Sequence, residues 1–304
     1  MHGNLGVLYL STLFVMKTSL LKGLGAFAAT GTAATGGFVA WKQATKPTDV
    51  KSRLVWEGLT VADVNGKGVW GAIYLAKKDV SGFLDFATTK DNKETASTQL
   101  KKKCSELFNV SASDEKYEES YEKAKKWCLN PELTTIEIQF EFEDREFASV
   151  DDDFKNLFTL YKGTSSFVDV VKTSASGFTA QTALETAKGN VQTWCNSMKS
   201  KSPKGDDLKN AISWCTKPES NFKSFMEKKG FRLLADGEWG NHFSSLKSKG
   251  GDAGLESDIQ SETGNDNDGS KLKSWCDKKK VDSAQIHTLS ADLEKIERRR
   301  FVRK

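Results

Sequence analysis

Four Trp-Cys dipeptides punctuate the chain: Trp127-Cys128, Trp194-Cys195, Trp214-Cys215 and Trp275-Cys276. Two continue alike into a Pro-Glu pair, as Trp127-Cys128-Leu129-Asn130-Pro131-Glu132 and Trp214-Cys215-Thr216-Lys217-Pro218-Glu219. Proline just past an apolar-periodic run is a helix stop signal. A large aromatic beside a small thiol, placed at helix ends, reads as a recurring core wedge. The dipeptides therefore predict repeated small helical modules, with all eight of their residues as structural anchors.

Working back from each dipeptide, a common layout emerges. A leading segment (Leu54 to Asp63, Phe140 to Val150, Phe225 to Asp236) runs to an aromatic residue, Trp70, Phe154 or Trp239. Apolar stripes at helical spacing come next: Trp70, Ile73 and Tyr74; Phe154, Leu157, Phe158 and Tyr161; Leu184, Ala187, Val191, Trp194, Cys195 and Met198; Leu208, Ala211, Ile212 and Cys215. The expected fold is mainly α, with three consecutive modules over 50–131, 134–218 and 222–276. The third is short, because its Gly-, Ser- and Asp-rich stretch 247–270 reads as a flexible linker or a lost element. Ile286, Leu289, Leu293 and Ile296 predict a separate C-terminal helix within 284–304, ending in a basic tail that is solvated or forms a docking patch for anions. One segment conflicts with a purely helical chain. Residues 135–143 (TIEIQFEFE) alternate strictly, a strand signal, while their place in the repeat argues for helix.

Ahead of the modules, Gly23 to Trp41 holds no charged residue and is flanked by Lys17, Lys22, Lys42 and Lys46. Nineteen helical residues rise about 28 Å, enough to cross a hydrocarbon core of about 30 Å. The segment 16–45 is thus expected to be an N-terminal transmembrane anchor, with a cleaved signal peptide as the rival on account of Ala26-Phe27-Ala28. Met16-Lys17 resembles a natural start, which would make 1–15 an over-extended beginning.

The five cysteines are Cys104, Cys128, Cys195, Cys215 and Cys276. Without C-x-x-C or a neighbouring histidine they do not suggest a zinc site. If the helices around each candidate pair formed symmetric hairpins, Cys195 and Cys215 would face each other across the turn 200–206 (SKSPKGD), with Trp194 and Trp214 forming one lid with Met198. They are the candidate disulfide. Cys104 and Cys128 would be offset about nine residues from the turn at 109–114, roughly 13 Å along the axis, too far for the Cα separation of about 7 Å that a disulfide tolerates. Cys276 is expected to have no partner.

Catalytic machinery is not legible. The histidines are His2, His242 and His287, and the chain has no G-x-S-x-G, H-E-x-x-H, G-x-x-x-x-G-K-S/T or G-x-G-x-x-G. Asp151-Asp152-Asp153 reads as the acidic first turn of a helix and not as a calcium loop. No catalytic, cofactor-binding or metal residues are assigned. A net charge of +4 over 304 residues gives no reason to expect a nucleic-acid partner.

The Lys-flanked Gly/Ala/Thr-rich run, followed by a module ending in Tyr121, Ala124, Trp127, Cys128 and Pro131, resembles the large paralogous families of uncharacterised proteins in haemotropic mycoplasmas. The second ending keeps Ala211, Trp214, Cys215 and Pro218, with Leu208 at the tyrosine position; the third has no proline after Trp275-Cys276. That resemblance implies exposure on a wall-less cell and a role in host contact or antigenic variation. It carries over no activity and no cofactor. The alternative expectation is a membrane-tethered intracellular scaffold for other proteins.

Overall fold

In the computed structural model, residues 46–304 are described except 249–251, 253 and 266. The anchor or signal segment 16–45, the start 1–15 and His2 lie outside the described residues. Pro47–Lys304 packs as one body, and its secondary structure is almost wholly helical.

Three short helices open with the same device. They are α1 (Val50–Trp56), α6 (Ile136–Phe142) and α11 (Phe222–Lys228), and they start at 50, 136 and 222, 86 residues apart each time. A side-chain oxygen of the preceding residue caps each one: Asp49 accepts from the Ser52 N–H at 2.7 Å, Thr135 from Ile138 at 3.3 Å and Asn221 from Ser224 at 2.9 Å. Such caps satisfy amide groups that the first turn leaves without a helical partner. Just past each helix the backbone enters the left-handed region, at Gly58 (φ 83°), Asp144 (φ 57°) and Gly230 (φ 86°).

Between α1 and α6 come α2 (Val69–Lys77), α3 (Phe83–Ala87), α4 (Lys93–Phe108) and α5 (Tyr117–Trp127). Between α6 and α11 come α7 (Asp151–Tyr161), α8 (Ser165–Lys172), α9 (Leu184–Lys199) and α10 (Gly205–Trp214). After α11 follow β1 (Phe231–Leu233), α12 (Trp239–Ser248), α13 (Leu255–Ile259), α14 (Ser270–Lys278), α15 (Leu293–Arg300) and β2 (Phe301–Arg303), with 3-10 turns at Asp236–Glu238 and Ile286–Leu289. Three apolar cores follow the same order. The first gathers Leu54, Trp70, Leu100, Tyr121 and Trp127; the second Ile136, Phe154, Val191, Trp194 and Ala211; the third Phe222, Trp239, Leu272, Trp275, Ile296 and Phe301.

Each core is closed by an equivalent backbone tie. The carbonyl of Cys128 accepts from Ala62 N–H at 2.9 Å, that of Cys215 from Ala148 at 2.9 Å and that of Arg300 from Leu234 at 3.0 Å. Single antiparallel bridges flank the first two, Val61 with Leu129 and Phe147 with Thr216. In the third the bridge is extended into the β1–β2 pair, where Leu233 faces Phe301.

The segment 135–143 is helix, not strand. Its alternation has a packing cause: α6 is buried on two sides. Ile136 and Phe140, one turn apart, enter the second core, while Phe142 packs against the first. A helix sandwiched between two cores can show the period of two that a half-buried strand would show. The approach to the first core is close. A Cβ on Gly68 would sit 1.8 Å from the Glu141 carbonyl oxygen, and one on Gly71 2.0 Å from its carboxylate.

The expected end of the third module at 276 does not hold. Ile286, Leu289, Ile296 and Phe301 are buried in the same core as Phe222 and Trp275. The stretch 247–270 is not simply a linker either, since α13 within it buries Leu255 and Ile259. Nor is the basic C-terminus a solvated tail. Arg299 is fully buried, and 301–303 is a paired strand.

Candidate functional site

The Trp and Cys anchors form three nodes, one per core. In the first, Cys104 and Cys128 are disulfide-bonded with Cα atoms 5.5 Å apart. This corrects the expected separation of about 13 Å. In the second, Cys195 and Cys215 are bonded with Cα atoms 5.4 Å apart. The two nodes are built alike. Cys104 and Cys195 each sit one turn before the end of a long helix, and Cys128 and Cys215 each cap the far end of the next helix. A residue near the turn touching one at the far end of the next helix is not the register of a symmetric hairpin. The symmetric-hairpin premise therefore fails for both pairs. In the first node the connection 109–116 also turns aside to pair with the start of α1, Val50 N–H donating to Val110 O at 3.1 Å and Ala112 N–H to Thr48 O at 2.9 Å.

Aromatic rings surround each node. Trp127 stacks on Phe86 (5.6 Å between centroids) and meets Phe83 edge-on at 5.9 Å. Trp194 and Trp214 lie 6.2 Å apart, with Met198 buried in the same core and Phe167 edge-on to Trp214 at 5.8 Å. In the third node Trp275 is buried beside the free, buried Cys276. Burial, slightly offset by the cationic Arg300 and Arg299, pushes the Cys276 thiol up to about 12.

By the shared carbonyl tie, the place of Cys128 and Cys215 is taken in the third core by Arg300, and that of Trp127 and Trp214 by Arg299. The Arg299 guanidinium lies 4.6 Å from the Trp275 ring centroid. It donates to Asp252 Oδ2 (2.6 Å) and Oδ1 (2.8 Å) and to Asp258 Oδ2 (2.8 Å). Arg300 lies 4.9 Å from the Trp239 centroid and Arg303 5.8 Å from that of Phe231. Of the arginines expected as an anionic docking patch, Arg299 is thus spent inside the fold and Arg300 is half-buried, while Arg298 and Arg303 are exposed.

Other polar groups join elements of the fold. Asp151, Asp152 and Asp153 are the first turn of α7, and Asp153 Oδ2 accepts from the Ser149 N–H at 3.0 Å. Asn156 joins the second and third cores, its Oδ1 accepting from the His287 N–H at 2.9 Å and lying 3.0 Å from Nδ1. His242 Nε2 lies 3.0 Å from the Arg298 carbonyl oxygen. Among the described residues no group of three or more His, Cys, Asp or Glu side chains could hold a metal ion, and no helix is long and apolar enough to cross a membrane. An open groove of about 890 Å³ runs between α7 and α15. An acidic cleft of about 730 Å³ lies beside Asp144 and Asp152, with its Glu146 and Glu219 paired to Lys217 and Lys228.

Comparison of the chain with known protein families, with curated proteins and with solved structures finds no match in any of the three.

Proposed function

We propose that this chain is a non-enzymatic surface protein, held to the membrane by residues 16–45, whose three successive copies of one helical unit face the outside. Host contact or antigenic variation is its role. The copies open at Val50, Ile136 and Phe222 and close at Cys128, Cys215 and Arg300.

The observation that carries the reading is the pair of disulfides at equivalent places in successive cores. Disulfides persist in oxidising surroundings and are rare in the cytosol. Each closes a loop of about 20 to 25 residues, which stabilises by about 3 kcal/mol through the unfolded chain. Such braces suit small cores that bury few residues each. The tryptophans at the nodes are fillers of those cores, so the solvated residues between them are what a partner would meet.

Protease treatment of intact cells, with thiols quenched by acid and then alkylated in denaturant, tests the reading. Cleavage between 46 and 304 together with one alkylatable cysteine per chain is expected. A fully protected chain carrying five free thiols would sink it and favour the intracellular scaffold.

A further inference from the structure

The chain contains a single Asn-Gly pair, Asn65-Gly66, in the connection from α1 to α2. It lies in a surface turn, where the Asp63 carboxylate accepts from the Asn65 N–H at 2.9 Å and the Asp63 carbonyl from the Gly66 N–H at 3.0 Å. Asn65 is exposed, and its side-chain amide makes no hydrogen bond among the described residues. In an Asn-Gly pair the following main-chain nitrogen reaches the asparagine side-chain carbonyl carbon readily, since glycine has no Cβ in the way and its backbone bends freely. A surface turn held by two local bonds leaves that approach open, whereas a helix does not. The exposed Asn196 precedes Ser197 inside α9, where the backbone ladder holds the Ser197 nitrogen away from its neighbour's side chain.

The turn leads into a close contact. Gly68 sits where an added Cβ would lie 1.8 Å from the Glu141 carbonyl oxygen and 2.9 Å from the Asp144 nitrogen. On the other side of the turn the chain is fixed by the tie from Ala62 to Cys128. Only residues 63–67 span these two fixed points, so a change of backbone length there is passed to the seat of α6.

We propose that Asn65 is a site of spontaneous covalent modification that ages the boundary between the first two copies. The Gly66 nitrogen gives up its proton to hydroxide and attacks the Asn65 side-chain carbonyl carbon. The amide nitrogen leaves as ammonia, taking up a proton from water in place of the one given up, and a five-membered cyclic imide forms. Water then opens the ring at either carbonyl. One opening gives aspartate. The other gives isoaspartate, in which the main chain runs through the side-chain carbon and is one methylene longer. Both put a new negative charge close to Asp63. Isoaspartate also lengthens 63–67 between its fixed ends and loosens Gly68 from Glu141.

The full chain, kept at 37 °C and pH 7.4 for several weeks and then digested with trypsin at pH 6, tests this. The expected result is a one-dalton gain on the peptide Leu54–Lys67, split between two chromatographic forms, several-fold faster at pH 8.5 and absent from Asn65→Gln. The peptide carrying Asn196 should stay unchanged. An intact Asn65 in the folded chain, while chain held in guanidinium chloride converts, would show that the turn protects it and would overturn the proposal. Equal conversion at Asn65 and Asn196 would overturn it too, because the reaction would then run through the unfolded chain. The isoaspartate form, separated chromatographically, should have a lower urea midpoint than Asn65→Asp, which carries the charge on an unlengthened backbone. Equal midpoints would overturn the loosening of the α6 seat.

Discussion

Arg299 stands in the third core where Trp214 stands in the second, its guanidinium 4.6 Å from the Trp275 centroid as the Trp214 ring is 6.2 Å from that of Trp194. The exchange of ring for cation brings a requirement: Asp252, its side chain 2% exposed, neutralises Arg299 through two hydrogen bonds. Removing one partner of a buried ion pair strands the other, at a cost of about 3–5 kcal/mol. Arg299→Met should therefore lower stability by that amount, while Arg299→Met combined with Asp252→Leu should recover a large part of it. Urea denaturation of the two variants checks this; equal losses would show that Asp252 is not stranded.

The same equivalence predicts a third disulfide. The Arg300 carbonyl makes the tie made elsewhere by Cys128 and Cys215, and Cys276 occupies the place of Cys104 and Cys195. Arg300→Cys should oxidise with Cys276, closing a loop worth about 3 kcal/mol against the lost Arg300–Trp239 contact. Mass spectrometry should find no alkylatable thiol after denaturation. In the parent chain, by contrast, Cys276 is buried with its thiol pushed up to about 12, so it should resist alkylation at pH 8 until the chain unfolds. Two free thiols in the variant would refute the equivalence.

Glycine substitutions should split by location. Gly68 has an ordinary helical backbone (φ −81°), so Gly68→Ala acts only through the 1.8 Å approach to Glu141, destabilising by about 1–3 kcal/mol. Gly189, inside α9 with nothing within 4 Å of an added methyl, should gain about 0.5–1 kcal/mol as alanine. Thermal melts of both variants decide this, and a neutral Gly68→Ala would show that α6 is not seated against α2.

Asp144 is the one non-glycine among the three residues that follow the leading helices, at φ 57° where Gly58 and Gly230 have 83° and 86°. Asp144→Gly relieves left-handed strain and should stabilise by about 0.5–1 kcal/mol. A loss of stability instead would mean that the carboxylate has a compensating role in the acidic cleft.

Acid should act early on the segment between β1 and α12. Two Arg232 nitrogens donate to the Glu238 carboxylate at 2.6 Å each, and with the Ala235 N–H they hold its carboxyl down to about 2. A depressed carboxyl stabilises the fold above its ordinary value near 4.5, and that contribution is lost as pH falls from there toward 2. Stability measured from pH 5 to pH 2 should fall less steeply in Glu238→Gln than in the parent; parallel curves would refute the assignment.

Local order was legible in the sequence because it is local. The apolar stripes of α7, α9 and α10, the acidic start of α7 and the packing of the Trp-Cys dipeptides on the cores follow from the 3.6-residue period and from capping chemistry, which involve residues a few positions apart. What the sequence could not decide depends on residues far apart. The alternation at 135–143 is a helix because two cores claim its two sides. Cys104 reaches Cys128 although the two are not symmetric about the turn, because the connection between their helices is drawn aside to pair with the start of α1. Trp275-Cys276 reads as a closing dipeptide, yet it belongs to the penultimate helix, and the true closure at Arg299 and Arg300 carries neither tryptophan nor cysteine. The three cores keep their backbone ties while the side chains at them change, since a carbonyl tie asks nothing of the side chain beside it. Equivalence in this protein is thus written in main-chain hydrogen bonds, which only the folded chain displays.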